Sequence, residues 1–473
     1  MSVQHRLGLA LVSNSFAYFV TLIVQILSVP VLLHAWGGAL YGEWLIASTI
    51  PGYLTMSDLG LTTALANDMA MSEAQSNRRE CVRAFQSVSF TIFAIGLILV
   101  CIAAFAGWLF PLQMLLGTKI LVGRQLGELI ALLVAQVWLS QCLNVLNAGF
   151  RCVGQYPSGI FYINCVRLFQ YIALWTYAAL SYDVILCTLA MTLALMVGTI
   201  VCAILLRIQV PWLKLGLREI QLKQVKRLLT VGLPFMAIPL STALNLQTPI
   251  LVLGLVVGSE AVAVFSTCRV ISRAVFQVFS IVNNTFWPEM TRAFGEGNFE
   301  VLRRLYRITV TAAIWSGVAC AGVLAIWGPD IYALWTSHIV VLDPILFDIL
   351  LLVMIASVAW SPASIVLAAT NKISALAGWI FGINLAMVPA CWALTELAGV
   401  RGAAVSLLLV ELSISLYVIP ASSRLVRDDP RRLLKCLVNP KEFMRQLGPN
   451  PWKLLPFRRR KQETPPPNEI IEG

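Results

Sequence analysis

The chain has 473 residues, 59% hydrophobic and only 12% charged, with a net charge of +11 and a mean hydropathy of +0.81. Soluble domains carry about 25% charged residues, so this composition excludes a soluble enzyme, a secreted disulfide scaffold, a disordered chain and a nucleic-acid module. In so apolar a chain the cationic excess bears on orientation in a bilayer, not on nucleic acid.

About 20 apolar residues cross a bilayer. Hydropathy and helix breakers predict twelve spans, at 7–33, 43–67, 84–110, 126–148, 159–181, 184–206, 229–255, 261–288, 305–327, 344–369, 373–394 and 402–423. An even number puts both termini on one side. With that side taken as the cytoplasm, 28 of the 34 Lys and Arg residues lie in cytoplasmic segments, Lys372 among them. Only Lys119, Arg124 and Arg401 lie in the opposite loops, while Arg167, Arg269 and Arg273 fall inside spans. The asymmetry predicts a multi-pass protein with both termini cytoplasmic.

The eleven cysteines fall in spans or cytoplasmic segments, so no disulfide framework is expected. There are three histidines and no CxxC, HExxH, GxSxG, Walker or GxGxxG pattern of note. No metal site, catalytic residue or cofactor is therefore expected, cation or proton coupling aside.

The basic connector 207–228 divides the spans six and six. The expected organisation is a six-helix bundle over 1–206, the cytoplasmic connector 207–228, a second bundle over 229–423 and a basic, disordered cytoplasmic tail over 424–473. An ungapped shift of 224 sets Gly8 on Gly232, Thr21 on Asn245 and Tyr41 on Phe265. The turn opening at Asn77 (Asn-Arg-Arg-Glu-Cys) likewise matches the one opening at Asn298 (Asn-Phe-Glu-Val-Leu). An even number of spans per half makes the copies parallel. The fold class is thus all-α integral membrane, two parallel six-helix bundles around a central cavity.

Polar groups inside hydrocarbon are costly unless they face protein or a water-filled cavity. In the first span Asn14, Tyr18, Thr21, Gln25 and Ser28 fall within about 80° at 100° per residue. The seventh presents Ser241, Asn245 and Thr248, and the eighth Arg269, Arg273, Gln277, Ser280 and Asn284. The fifth adds Asn164, Arg167 and Tyr171. Such residues serve either as interhelical glue or as cavity lining.

Arg167, Arg269 and Arg273 lie near mid-depth, where a charge costs at least about 2.5–3.5 kcal/mol. They either pair with Glu411, Asp348 or Asp58 or form a belt that receives an anion. Guanidinium forks suit phosphate oxygens, so a cavity for a phosphate or diphosphate is expected. Pro234, Pro239 and Pro249 mark the seventh span as a bending helix.

Two segments, Tyr41-Gly-Glu-Trp and Asp58-Leu-Gly-Leu, resemble the second-helix signature of Wzx-type polysaccharide and O-antigen flippases. Those belong to the polysaccharide transporter family of the multidrug/oligosaccharidyl-lipid/polysaccharide exporter superfamily. The resemblance continues at Arg227-Leu-Leu-Thr-Val-Gly-Leu-Pro and at Trp287-Pro-Glu-Met with Gly295-Glu-Gly-Asn-Phe, and covers about residues 1–424. It implies movement of undecaprenyl-diphosphate-linked oligosaccharide from the inner to the outer leaflet of a bacterial cytoplasmic membrane. Asp58 and Glu411 are the candidate coupling acids. The tail, with Arg458-Arg-Arg-Lys, is expected to lie on anionic lipid or to dock glycosyltransferases or a glycan polymerase. The rival readings are a cation-coupled multidrug exporter of the same fold, which would want an acidic cavity, and a membrane glycan polymerase or ligase, which would want a large outer loop. A non-transporting scaffold is a third.

Overall fold

The computed structural model describes residues 3–369 and 373–447, so Lys372 lies outside the described residues, and among them every regular element is helical. Helix α1 (Val3–Ala47) holds the first span and the start of the second, broken at Gly37, whose φ of 69° a side chain would oppose. The second span continues through α2 (Thr49–Leu54) and α3 (Leu61–Ala74). The third is α4 (Arg78–Leu109), followed by the single turn α5 (Leu112–Leu116). Helices α6 (Gly123–Cys152), α7 (Tyr156–Ser181) and α8 (Val184–Gln209) complete the first lobe.

The seventh span joins α9 (Leu222–Gly232), a 3-10 turn over Leu233–Met236 and α10 (Ala237–Val256). Then come α11 (Ser259–Gly295), α12 (Phe299–Trp335) and α13 (Pro344–Ala369). Helix α14 (Ile373–Val426) holds the last two spans, divided at Gly399. Eight helical stretches are long and apolar enough to cross a membrane, and the two that include α1 and α14 hold two spans each. Helices α7 and α11, which carry the intramembrane arginines, complete the twelve. The chain is an all-α multi-pass membrane protein of two parallel six-helix bundles.

The internal repeat runs at 221 residues rather than 224. Left-handed residues pair at Gly37 and Gly258, at Ser76 and Gly297, and at Gly117 and His338. Asn77 and Asn298 each cap the following helix, accepting from the amides of Glu80 and Val301. Turn geometry is held more tightly than the identity of lipid-facing residues, so the turns set the register. The halves differ at their entrances: the second span is interrupted between Leu54 and Leu61 whereas α11 runs unbroken, and the seventh span is broken by its 3-10 turn whereas the first runs unbroken in α1.

The basic connector docks on the first lobe, and α9 takes in its last residues from Leu222. Arg227 pairs with Asp68 at 2.8 Å, Arg83 pairs with Glu219 at 3.0 Å, and Gln86 donates to the Lys214 carbonyl. The expectation of a tail disordered throughout needs correction. Residues 430–438 and 440–447 form α15 (Pro430–Val438) and α16 (Pro440–Leu447), packed on α12. The Trp315 indole donates to the Leu437 carbonyl and stacks on Phe443, and Arg307 holds Asp428 through Nε at 2.7 Å. Residues 448–473, with the Arg458 run, lie outside the described residues.

The lobes meet tightly at the end away from the termini. A Cβ on Gly42 would fall 1.9 Å from the Ser259 carbonyl oxygen, and one on Gly254 would fall 2.6 Å from Ile46. The buried Glu43 carboxylate accepts from the amides of Lys119, Ile120 and Leu121 at 2.6–3.0 Å, which shapes the loop after α5. Pro30 has no N–H to offer the Ile26 carbonyl one turn back. The Trp335 indole, from the other lobe, donates to that carbonyl at 2.8 Å.

Candidate functional site

Proline also builds the site. Pro249 leaves the Asn245 carbonyl in α10 without its helical partner. Arg269 of α11 fills the gap: its Nη2 donates to the Asn245 carbonyl at 2.9 Å and Oδ1 at 3.1 Å, and its Nη1 donates to the Leu246 carbonyl at 3.1 Å. Its guanidinium also lies over the Phe265 ring. Arg269 is therefore held in place by backbone that the seventh span exposes.

One turn along α11, Arg273 enters the same cavity and makes no hydrogen bond or close ion pair with any described residue. The cavity, of about 260 Å³, is lined by Ser241, Thr242 and Asn245 of α10, Arg269, Ser272 and Arg273 of α11, Ser357 and Trp360 of α13, and Asn384 and Glu411 of α14. Apolar side chains such as Phe276, Met354 and Leu407 close its walls. Glu411 accepts from the Trp360 indole at 2.7 Å and lies close enough to interact electrostatically with both arginines, without contact between them.

The cavity thus joins five of the predicted residues: Ser241, Asn245, Arg269, Arg273 and Glu411. It lies inside the second lobe, not between the lobes, because the exposed carbonyls of α10 draw the arginine face of α11 inward. Arg167 is not among the residues that line this cavity. Arg167 sits in the first lobe and donates to the Thr21 hydroxyl at 3.1 Å. That bond joins the fifth and first spans; in the other lobe Asn245 donates to Asn384 at 3.3 Å, between the seventh and eleventh.

The other polar-face residues divide. Gln277 donates to Gln25 at 2.6 Å, a bond between the lobes. Asn164 turns its amide back onto the Ile160 carbonyl of its own helix, so that bond ties it to no neighbouring helix. Tyr171 packs edgewise near Trp175, and Asn14 and Tyr18 are half-buried on α1. The side chain of Asn284 lies outside the described residues. Asp348 is exposed and pairs with neither arginine of the cavity. Asp58 caps α3, accepting from the Gly60 and Thr62 amides and the Thr62 hydroxyl, which accounts for it locally.

Sequence reasoning missed Asn384, Trp360, Ser357 and Ser272. Asn384 is the polar residue in the middle of an otherwise apolar eleventh span, and that isolation was the available signal. The indole of Trp360 carried none, since tryptophan is common at membrane interfaces.

No protein-family model matches the chain, and no curated protein sequence matches it. Solved structures do. An inward-facing multidrug resistance MATE family transporter of the MOP superfamily superposes with a TM-score of 0.64 at 16% identity, over 86% of this chain and 98% of that one. An outward-facing conformation of such a transporter gives 0.55 at 15% identity, over 89% and 95%. A MOP superfamily transporter from Pyrococcus furiosus, for which reverse polarity of the binding pocket suggests a different function, gives 0.56 at 14% identity, over 89% and 95%. At these identities the likeness is one of fold: the chain has the architecture of MATE and MOP superfamily transporters.

Proposed function

We propose that the chain is a flippase that moves undecaprenyl-diphosphate-linked oligosaccharide from the inner to the outer leaflet of a bacterial cytoplasmic membrane by alternating access. The observation that carries this reading is Arg273, a guanidinium inside a transporter fold whose donors face a cavity and meet no protein acceptor among the described residues. A charge at this depth is retained where a ligand needs it, and a forked donor set suits diphosphate oxygens. Ligand pockets for drug-sized molecules run to about 300–1,000 Å³. A cavity of about 260 Å³ suits a head group, with the sugars held where the lobes part.

A transporter of cationic drugs would want its cavity charge reversed. Here two arginines face one carboxylate. The Pyrococcus furiosus transporter, with its reverse pocket polarity, is a precedent within this fold for a change of substrate. The tight contacts at the end away from the termini, taken as the outer face by the cation count, correspond to an inward-facing state ready to load from the inner leaflet. Glu411, within electrostatic reach of Arg273, is the acid that a coupling proton or cation would engage.

The test is the leaflet location of undecaprenyl-linked oligosaccharide in cells lacking the chain, compared with cells carrying Arg273→Ala. Inner-leaflet accumulation in both is expected. Absence of accumulation in the deletion strain overturns the flippase reading.

A further inference from the structure

The termini-side end of the first lobe holds a group of side chains that transport does not use. Glu73 near the end of α3, Cys81 in the first turn of α4 and Cys152, the last residue of α6, bring one carboxylate oxygen and two thiol sulfurs within 4.8 Å of one another. Both thiols are buried, and both point at the Met69 carbonyl, each at 3.5 Å. Glu73 gives Oε1 to Arg78 at 3.5 Å, while its Oε2 is fully buried with no hydrogen-bond partner. A carboxylate oxygen buried without a partner is costly.

We propose that Glu73, Cys81 and Cys152 form a binding site for a thiophilic divalent cation such as Zn²⁺, with the Met69 carbonyl oxygen as the neighbouring fourth donor. Two thiolates and a carboxylate are a donor set that Zn²⁺ takes, with Zn–S near 2.3 Å and a tetrahedral S···S separation of about 3.7 Å. The present separations, all within 4.8 Å, lie within about 1 Å of that value. Charge also balances: two thiolates and a carboxylate against a dication leave one negative charge, beside the Arg78 guanidinium. The metal would clip together the ends of the second, third and fourth spans across the turn at Ser76 and Asn77.

The second lobe shows what the same place looks like without such chemistry. Its equivalents 221 residues on, Phe294 and Leu302, are apolar; Leu302 is fully buried and Phe294 packs against Phe299. No linear motif joins the three ligands, which come from three different helices.

Co²⁺ is the probe. Full-length protein, purified in detergent under reductant, is titrated with Co²⁺ and then challenged with Zn²⁺. One equivalent should bind with a sulfur-to-cobalt charge-transfer band and tetrahedral visible bands, both bleached by Zn²⁺. Cys81→Ser with Cys152→Ser should abolish the bands, Glu73→Gln should weaken binding at least about tenfold, and Cys142→Ser with Cys165→Ser should leave them intact. No band in the unaltered protein overturns the proposal, whatever the variants do. So does a band that survives the Cys81 and Cys152 substitutions. A Cys81–Cys152 disulfide in protein purified without reductant, coupled with no Co²⁺ uptake after reduction, would replace the metal site by a redox pair.

Discussion

Gly60 and Gly232 lie backbone to backbone: a Cβ on Gly60 would sit 2.4 Å from the Gly232 carbonyl oxygen, and one on Gly232 would sit 2.8 Å from that of Gly60. Each stands at a break, Gly60 where the second span restarts and Gly232 where the seventh passes into its 3-10 turn. The Asp58-Leu-Gly and Val-Gly-Leu-Pro segments are therefore two sides of one joint. Gly60→Ala adds a left-handed strain to the clash, since φ there is 74°. We expect it to lower stability by about 2–4 kcal/mol and Gly232→Ala by somewhat less, read as melting temperature in detergent. Equal melting of both variants and the parent would show that the joint is not tightly packed.

Arg269 and Arg273 should part company on substitution. Arg269→Ala strands the Asn245 carbonyl and should cost stability of about 1–3 kcal/mol. Pro249→Ala added to it supplies an N–H for that carbonyl and should restore much of the loss, a coupling that a double-mutant cycle measures. Arg273→Ala breaks no hydrogen bond with any described residue and should leave melting unchanged; on the proposed function it should also abolish binding of a pyrophosphate-bearing lipid. Parallel losses of stability in both arginine variants would contradict this division.

Glu43 is one carboxylate serving three amides. Its replacement by alanine leaves those donors without their acceptor, that of Leu121 buried, so a loss of about 1–3 kcal/mol is expected. Glu43→Gln keeps an acceptor oxygen and should fall in between. Hydrogen exchange at Lys119–Leu121 is the direct readout, and protection that survives Glu43→Ala would remove Glu43 as the cause.

At the same end, Asp343 carries a pH dependence. Burial raises its affinity for a proton, but the Arg401 guanidinium and the Leu346 and Ile345 amides outweigh that and hold the carboxyl below its ordinary value of 3.8. A folded-state value below the unfolded one stabilises the protein above the ordinary carboxylate range, and the contribution fades as pH falls through the depressed value. Asp343→Asn should therefore flatten the acid side of the stability curve below about pH 4. An unchanged acid limb would place the sensitivity elsewhere.

The span count was legible because the hydrophobic runs and the cation asymmetry are long-range, redundant signals. So was the repeat, although its register came out three residues off. The turns at Gly37, Ser76 and Gly117 fix the spacing, which sets Thr21 on Thr242 and not on Asn245. What the sequence hid was direction. A helical wheel sets Arg269, Arg273 and Gln277 on one face, yet the first two enter the second lobe and Gln277 reaches across to Gln25. Nothing local to α11 specifies that; it follows from carbonyls exposed in another helix by Pro249. Arg167 was grouped with the other two by depth alone, and depth says nothing about which lobe a side chain serves. The Tyr41-Gly-Glu-Trp segment was read as a signature, and its content proved structural: Gly42 admits the Ser259 backbone and Glu43 organises a loop.

The Trp335 bond to Ile26 ties the conformational equilibrium to a single missing hydrogen. Whenever the lobes separate at that end, the indole leaves and the carbonyl above Pro30 has nothing in its own helix to turn to. The penalty, about 1–3 kcal/mol, weights the population toward the form in which the lobes meet at that end, by roughly tenfold per 1.4 kcal/mol. Pro30 thus sets how firmly the lobes stay together at that end. An alanine there would let the empty protein drift open toward the opposite face, and a cysteine reporter near Ser28 would label faster from that side without any substrate.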